Sequence, residues 1–305
     1  GSCGEEFLDT QVLTEKTDGN YYSSPEEASE ALVGCYDALQ LIWSDGIATP
    51  IAADVMSDLC FGGTGAPDDD IYPMMDEYDK TVSPTDVDIF DENWKNYYKG
   101  IFRCNKLINK IDQVDWEGNI EKRNEILSEA RFLRAFFYFD LVRMFERVPL
   151  LTKQSSENLP QSEPDEIYQV INEDLLFAIE NGNNQTYDEI APANYGHAGK
   201  WAASALLGRV YLYYTGYYGK PDLVGMVDKT EVLGYLEDVI DNSGYGLVEN
   251  FYDLWPASAR YQAAMDGKSI SQNTYAGENN KEVVFSIKYT YTSDYDGNTD
   301  GNHWM

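Results

Sequence analysis

Between Ile120 and Arg147 apolar residues return every three or four positions: Ile126, Leu127, Ala130, Leu133, Phe137, Leu141 and Phe145. That spacing lines one face of an α-helix, whereas a strand would scatter the same residues over both of its faces. Pro149 marks the exit, because a proline disfavours helical backbone at the residue before it. The same spacing recurs along the chain. Ser23-Ser24-Pro25-Glu26-Glu27 supplies a cap, a proline and an acidic first turn, and Ala28, Ala31, Leu32, Cys35, Leu39 and Ile42 follow at helical intervals. Trp94, Tyr97, Tyr98, Ile101, Leu107 and Ile108 predict a helix over about 90–111. A further helix starts near Pro164-Asp165-Glu166, carries Ile167, Tyr168, Ile171, Leu175 and Ile179, and ends at Asn181-Gly182-Asn183-Asn184. Two more are expected, from about Gly196 to Tyr218 and from about Lys229 to Ile240.

The fold class expected is therefore mainly α, a stack of helical pairs with long loops and minor β structure. Leu207-Gly208-x-x-Tyr211 matches part of the tetratricopeptide helix signature, in which a small glycine lets the paired helix approach and a tyrosine fills the groove. Position 204 is serine where that signature has tryptophan, and a second match at Val33-Gly34-x-Tyr36 is one residue short. Residues 60–86, rich in Gly, Asp and Pro, read as one long loop. Residues 1–20 read as an extended polar leader. Val283-Val284-Phe285, within 280–287, favours a short strand.

Composition narrows the function. With 22 Lys and Arg against 53 Asp and Glu, the formal net charge is −31. Such a chain repels phosphate backbones and anionic membrane surfaces, so nucleic acid is excluded as a partner. No apolar run is long enough to span a bilayer as a helix. The four cysteines, Cys3, Cys35, Cys60 and Cys104, form no CxxC pair. Spacing leaves open whether the last three are buried thiols or whether two of them pair. Cys3, in Gly1-Ser2-Cys3-Gly4, fits a lipid-anchored start left by signal-peptide removal, although Gly1-Ser2 also reads as a cloning remnant.

Enzyme chemistry has little to work with. The histidines are His197 and His303, and HExxH, Gly-x-Ser-x-Gly, Walker and Rossmann patterns are all missing from the sequence. Carboxylate pairs suited to glycoside hydrolysis are expected by chance among so many acids. Asp294, Asp296, Asn298 and Asp300 alternate as calcium ligands do, but the glycine is misplaced and no glutamate closes the loop. Calcium is the only cofactor the sequence suggests, against a plain acidic loop. Aromatic usage is a better signal, with 24 Tyr, 12 Phe and 6 Trp. Flat rings cover the C–H face of a sugar while polar side chains bond its hydroxyl rim. The loop aromatics Phe61, Tyr72, Tyr78, Trp255, Tyr289, Tyr291, Tyr295 and Trp304 are the glycan-binding candidates. Trp43, Trp94, Phe136, Phe137, Trp201 and Tyr211 lie at helical spacing and read as core.

Several blocks, in order, resemble the SusD/RagB outer-membrane lipoproteins. They are Cys3 with Glu6-Phe7-Leu8-Asp9; Ala31-Leu32-x-Gly34-x-Tyr36-x-x-Leu39; and Trp94-x-x-x-Tyr98-x-x-Ile101-x-x-Cys104-Asn105. The most specific runs from Ala130-Arg131-Phe132-Leu133-Arg134-Ala135-Phe136-Phe137 to Phe145, followed by Val148-Pro149-Leu150. Asp165-Glu166-Ile167-Tyr168, Ala205-Leu206-Leu207-x-Arg209-Val210-Tyr211 and Glu282-Val283-Val284-Phe285-Ser286-Ile287 complete the set. The resemblance implies one tetratricopeptide-like domain over 1–305, short of part of the family's usual C-terminal half. It implies lipidation at Cys3 and a place on the outer face of the outer membrane. It also implies a TonB-dependent SusC-like transporter as partner and a glycan as ligand, bound without catalysis. A RagB-like peptide binder and a secreted glycosidase are the alternative readings.

Overall fold

The computed structural model describes residues 21–44, 49–57, 59–62, 71–78, 90–155 and 157–288. Its helices are α1 (Pro25–Ser44), α2 (Thr49–Val55), α3 (Ile71–Asp76), α4 (Asp91–Lys110), α5 (Ile120–Phe145), α6 (Pro164–Asn181), α7 (Lys200–Tyr218), α8 (Lys229–Asn242) and α9 (Pro256–Met265). The body is a tetratricopeptide-like stack. Helix α1 packs on α4 and α5, α4 on α5, α5 on α6, α6 on α7 and α7 on α8. One hydrophobic core runs through these six helices, and a small separate one joins Ala52, Val55 and Met75 of α2 and α3. Among the described residues no helix is long and apolar enough to cross a membrane.

The helix ends follow local chemistry. Asn119 caps α5 by accepting the Lys122 amide at 3.1 Å. Asp228 caps α8 by accepting the amides of Thr230 and Glu231, while Glu231 reaches back to the Asp228 amide at 2.8 Å. Gly219, with φ of 64°, closes α7 in the left-handed conformation that glycine adopts without strain. Gly208 does what the tetratricopeptide signature asks of it. A β-carbon there would lie 2.8 Å from a methyl of Leu236, so the glycine lets α8 close onto α7. Tyr211, one turn on, is buried, and its hydroxyl donates to the Pro221 carbonyl at 3.5 Å.

Helix α5 is more central than an amphipathic stripe predicts. Phe132, Tyr138, Phe139, Arg134 and Asp140 are buried along with the expected face, because α1, α4 and α6 surround it. The two charged groups there are fully partnered. Arg134 grips Asp174 of α6 through Nε and Nη2, at 2.7 and 2.8 Å, and donates to Asn105 of α4 at 2.7 Å. Asn105 and Tyr138 both donate to the Leu151 carbonyl, and the Leu151 amide donates to the Tyr138 hydroxyl. One guanidinium thus ties three helices, and the same network holds the chain as it leaves α5. Tyr97 and Arg143 donate to Asp140. Burial raises both carboxyls, Asp140 and Asp174, above the ordinary aspartate range against the pull of their arginines.

Three sequence expectations are corrected. The long loop expected over 60–86 contains α3. Helices α2 and α9, seven and ten residues long and weakly patterned, have no counterpart in the sequence reading. The strand expected at 280–287 is absent: among the described residues the only bridge pairs Leu223 with Val227. Among the described residues no strand runs beside this segment, so its apolar residues pack on helices instead of joining a ladder. Phe285 stands edge-on to Phe132 at 5.0 Å, and Gln40 of α1 donates to the Lys288 carbonyl at 2.6 Å. Of the expected core aromatics, Phe137, Trp201 and Tyr211 are buried, and Trp94 and Phe136 pack partly buried against the core. The Trp43 side chain lies outside the described residues. Cys35 and Cys104 are buried free thiols, and Cys60 is exposed and free.

Candidate functional site

Two regions of the described structure have the features of a ligand site. The first is a cleft of about 300 Å³ between the N-terminal halves of α1 and α5 and the chain leading into α7. Leu32 and Ile126 form its apolar floor, Trp201 and Tyr245 supply rings, and Lys122, Glu125, Glu129 and His197 supply charge. Local chemistry builds the far wall. The Trp201 indole donates to the Gln185 carbonyl at 2.9 Å, and the Lys200 amide donates to the Asn183 carbonyl at 2.8 Å. Gly199 permits this approach, since a β-carbon there would lie 2.7 Å from the same Asn183 oxygen.

Glu129 is the hub of the cleft. Its Oε2 accepts the Tyr36 hydroxyl at 2.6 Å and bonds His197 Nδ1 at 2.7 Å. The Tyr36 hydroxyl in turn accepts the Ala198 amide at 2.8 Å. The bond to Glu129 raises the His197 imidazole above its ordinary range, with burial working the other way. Burial, then the Glu129 charge, holds the Tyr36 phenol well above its ordinary range, so it remains a donor. His197 also lines the adjoining hollow of about 170 Å³ that Tyr36, Gln40, Tyr195 and Lys288 enclose. Sequence reasoning did not single out this cleft. Tyr36, Glu129 and His197 are 93 and 68 residues apart, beyond the reach of any local motif.

The second region is an aromatic platform at the start of α9. Phe251, Tyr252, Trp255 and Tyr261 are exposed by 70%, 57%, 56% and 66%, well above the burial such rings usually reach. The Phe251 and Trp255 rings meet edge-to-face at 6.5 Å. Ser258 donates to the carbonyls of Tyr252 and Trp255, and buried Asp253 accepts from Asn250 and Thr274, so the turn carrying these rings is braced from beneath. Trp255 was a sequence candidate. Phe251, Tyr252 and Tyr261 were missed, although their crowding within eleven residues is visible in the sequence.

The remaining candidates are placed as follows. Phe61 is exposed, Tyr78 is exposed and donates to the Met56 carbonyl at 2.6 Å, and Tyr72 is half-buried against the small α2–α3 core. These three share the α2–α3 unit, and Trp255 stands on the separate α9 unit. Tyr289, Tyr291, Tyr295, Trp304, the lipidation candidate Cys3 and the calcium candidates Asp294, Asp296, Asn298 and Asp300 lie outside the described residues.

A SusD-like family, described as starch-binding and associating with the outer membrane, matches residues 68–212. A SusD-like protein of Bacteroides ovatus is 24% identical over 269 residues, which are 83% of this chain and 44% of the relative. SusD-like protein P25 of Formosa agariphila is 21% identical over 276 residues, 86% of this chain and 47% of the relative. The chain spans less than half the length of these relatives. Among solved structures, a laminarin binding SusD-like protein is 27% identical with a TM-score of 0.63, over 77% of this chain and 49% of that one. A SusD homolog from Bacteroides thetaiotaomicron is 25% identical with a TM-score of 0.59, over 84% of this chain and 47% of that one. The family match covers the α5 block from Ala130 to Phe145 and the α7 block from Ala205 to Leu212, and the helical body is shared with solved SusD-like proteins; over these elements the chain is similar to the SusD-like proteins.

Proposed function

We propose that this protein captures oligo- or polysaccharide at the cell surface and passes it, uncut, to a TonB-dependent SusC-like transporter. The observation that carries the reading is the exposed platform of Phe251, Tyr252, Trp255 and Tyr261 on a family scaffold. A solved relative at 27% identity is named for binding laminarin, which supports a glycan as the ligand. Each ring can cover the C–H face of one sugar, and exposed Asn250 and Arg260 stand beside them in sequence to bond hydroxyls. Exposed Phe61 and Tyr78 are candidates for further contacts.

Such contacts are individually modest. An aromatic pair adds only about 0.5–1.5 kcal/mol beyond area burial, and a ring on a sugar face is comparable. Affinity then depends on several rings acting along one chain, and on a lipid anchor at Cys3 that keeps the binder beside its transporter at high effective concentration. The family's description as associating with the outer membrane supports that placement. Native gels cast with laminarin or starch test the capture step. Both wild-type retardation and its loss in Phe251→Ala/Trp255→Ala are expected, with no reducing ends released on incubation. Retention of oligopeptides with no retardation by either glucan would overturn the reading in favour of a peptide binder. Release of reducing ends by the pure protein would overturn it in favour of a glycosidase.

A further inference from the structure

The cleft around Glu129 is distant in sequence from the aromatic platform, and its chemistry is different. We propose that it is a second sugar subsite, which takes a single ring of a neutral glycan by hydroxyls bonded to Glu129 and His197. This rests on the glycan-capture reading and adds to it a site that recognises the polar rim instead of the ring face.

Four observations support the assignment. The first is size. At about 300 Å³ the cleft is at the small end of ligand pockets, suited to one ring and its linkage and too small for a long chain segment. The second is preorganisation. Both bonds made by Glu129 fall on Oε2, from Tyr36 and His197, so Oε1 remains as an acceptor. With Nδ1 engaged, Nε2 is the ring nitrogen of His197 left for a ligand. The carboxylate oxygen accepts from a sugar hydroxyl, and the second imidazole nitrogen bonds another. The Tyr36 hydroxyl, tied to the Ala198 amide, holds Glu129 before any ligand arrives, so little ordering is required on binding.

The third is charge. The protein carries −31 overall, which favours cations almost anywhere on its surface. In this cleft Lys122 and His197 stand against Glu125 and Glu129, so the lining mixes cationic and anionic groups instead of being uniformly acidic. A neutral polyol meets donors and acceptors of both kinds there. The fourth is backbone pairing, which argues against a peptide. The amides of His197, Ala198 and Lys200 are already committed, to Asn194, Tyr36 and Asn183, so this wall offers no run of open donors to an extended chain. Leu32, Ile126 and the Trp201 ring supply the apolar contact that the rest of a sugar ring requires.

The chain has two histidines, so their imidazole resonances can be followed separately by NMR in the full-length protein. The probes are short oligosaccharides of laminarin and of starch, titrated alongside the native-gel assay of the parent polysaccharides. The expected result is a saturable shift of the His197 signals without movement of His303. In Glu129→Gln the dissociation constant read from that shift should rise about tenfold or more, the equivalent of one charge-assisted hydrogen bond. Polysaccharide retardation with no oligosaccharide shift at His197 would overturn the subsite and leave glycan capture standing. A shift that Glu129→Gln and His197→Gln leave equally strong at neighbouring Tyr36 would also overturn it. Absence of both retardation and shift would overturn the subsite and the capture reading together.

Discussion

Removing the Arg134 guanidinium should be among the most damaging single changes in the helical body, and its cost should depend on pH in a particular way. Arg134→Met keeps much of the side-chain volume but deletes two bonds to Asp174 and one to Asn105. Asp174 is 1% exposed, and the nearest remaining cation would be Arg131 at 3.8 Å. Breaking a buried pair by removing one partner typically costs about 3–5 kcal/mol, since the other charge is left uncompensated. Part of that cost is avoidable, because a stranded carboxylate takes up a proton instead of staying ionised. Burial already raises the Asp174 carboxyl in the wild type, and loss of Arg134 removes the largest opposing influence. A carboxyl raised in the fold disfavours folding above the unfolded value of about 3.9, by about 1.36 kcal/mol for each pH unit up to its folded pKa. The penalty at pH 7 should therefore shrink by as much as ~2.7 kcal/mol at pH 5. Urea unfolding of wild type and variant at both pH values measures this directly. Arg134→Met/Asp174→Leu should recover most of the loss at pH 7, since a packed apolar pair replaces a buried ion pair at little cost. A single variant within about 1 kcal/mol of wild type at pH 7, or a double variant no better than the single, would refute the reasoning.

Two further outcomes follow from other buried and half-buried groups. Asn172 in α6 is fully buried, and neither atom of its side-chain amide has a partner among the described residues; Asn172→Leu should raise urea stability by about 1–3 kcal/mol, and a loss of stability would show that the amide is paired after all. The His197 imidazole is raised above its ordinary 6.5 by Glu129, so its contribution to stability is complete below about pH 6.5 and lost as pH rises through the folded value. An NMR titration should give a midpoint above 6.5 that falls in Glu129→Gln, and His197→Gln should destabilise more at pH 6 than at pH 8; a wild-type midpoint at or below 6.5 would contradict the Glu129 contact.

Local patterning by itself determined the helices that build the body. The apolar spacing, the capping residues near Pro25 and Pro164, and the closing signals at Pro149 and Gly182 placed α1 and α4–α8 to within a few residues, because helix ends depend on groups within one turn. Gly208 was legible for the same reason: a signature recorded the need for a close neighbour. Tertiary structure decided the rest. The segment 280–287 has strand-like residues but, among the described residues, no strand beside it, so its fate was set by the helices it lies across. That α5 is enclosed on several sides, with Arg134 and Asp140 inside, depended on how many helices surround it, which a single-helix pattern does not encode. The cleft was invisible for a related reason. Tyr36, Glu129 and His197 come from α1, α5 and a turn before α7, and only the packing of those elements brings their polar atoms within hydrogen-bonding distance.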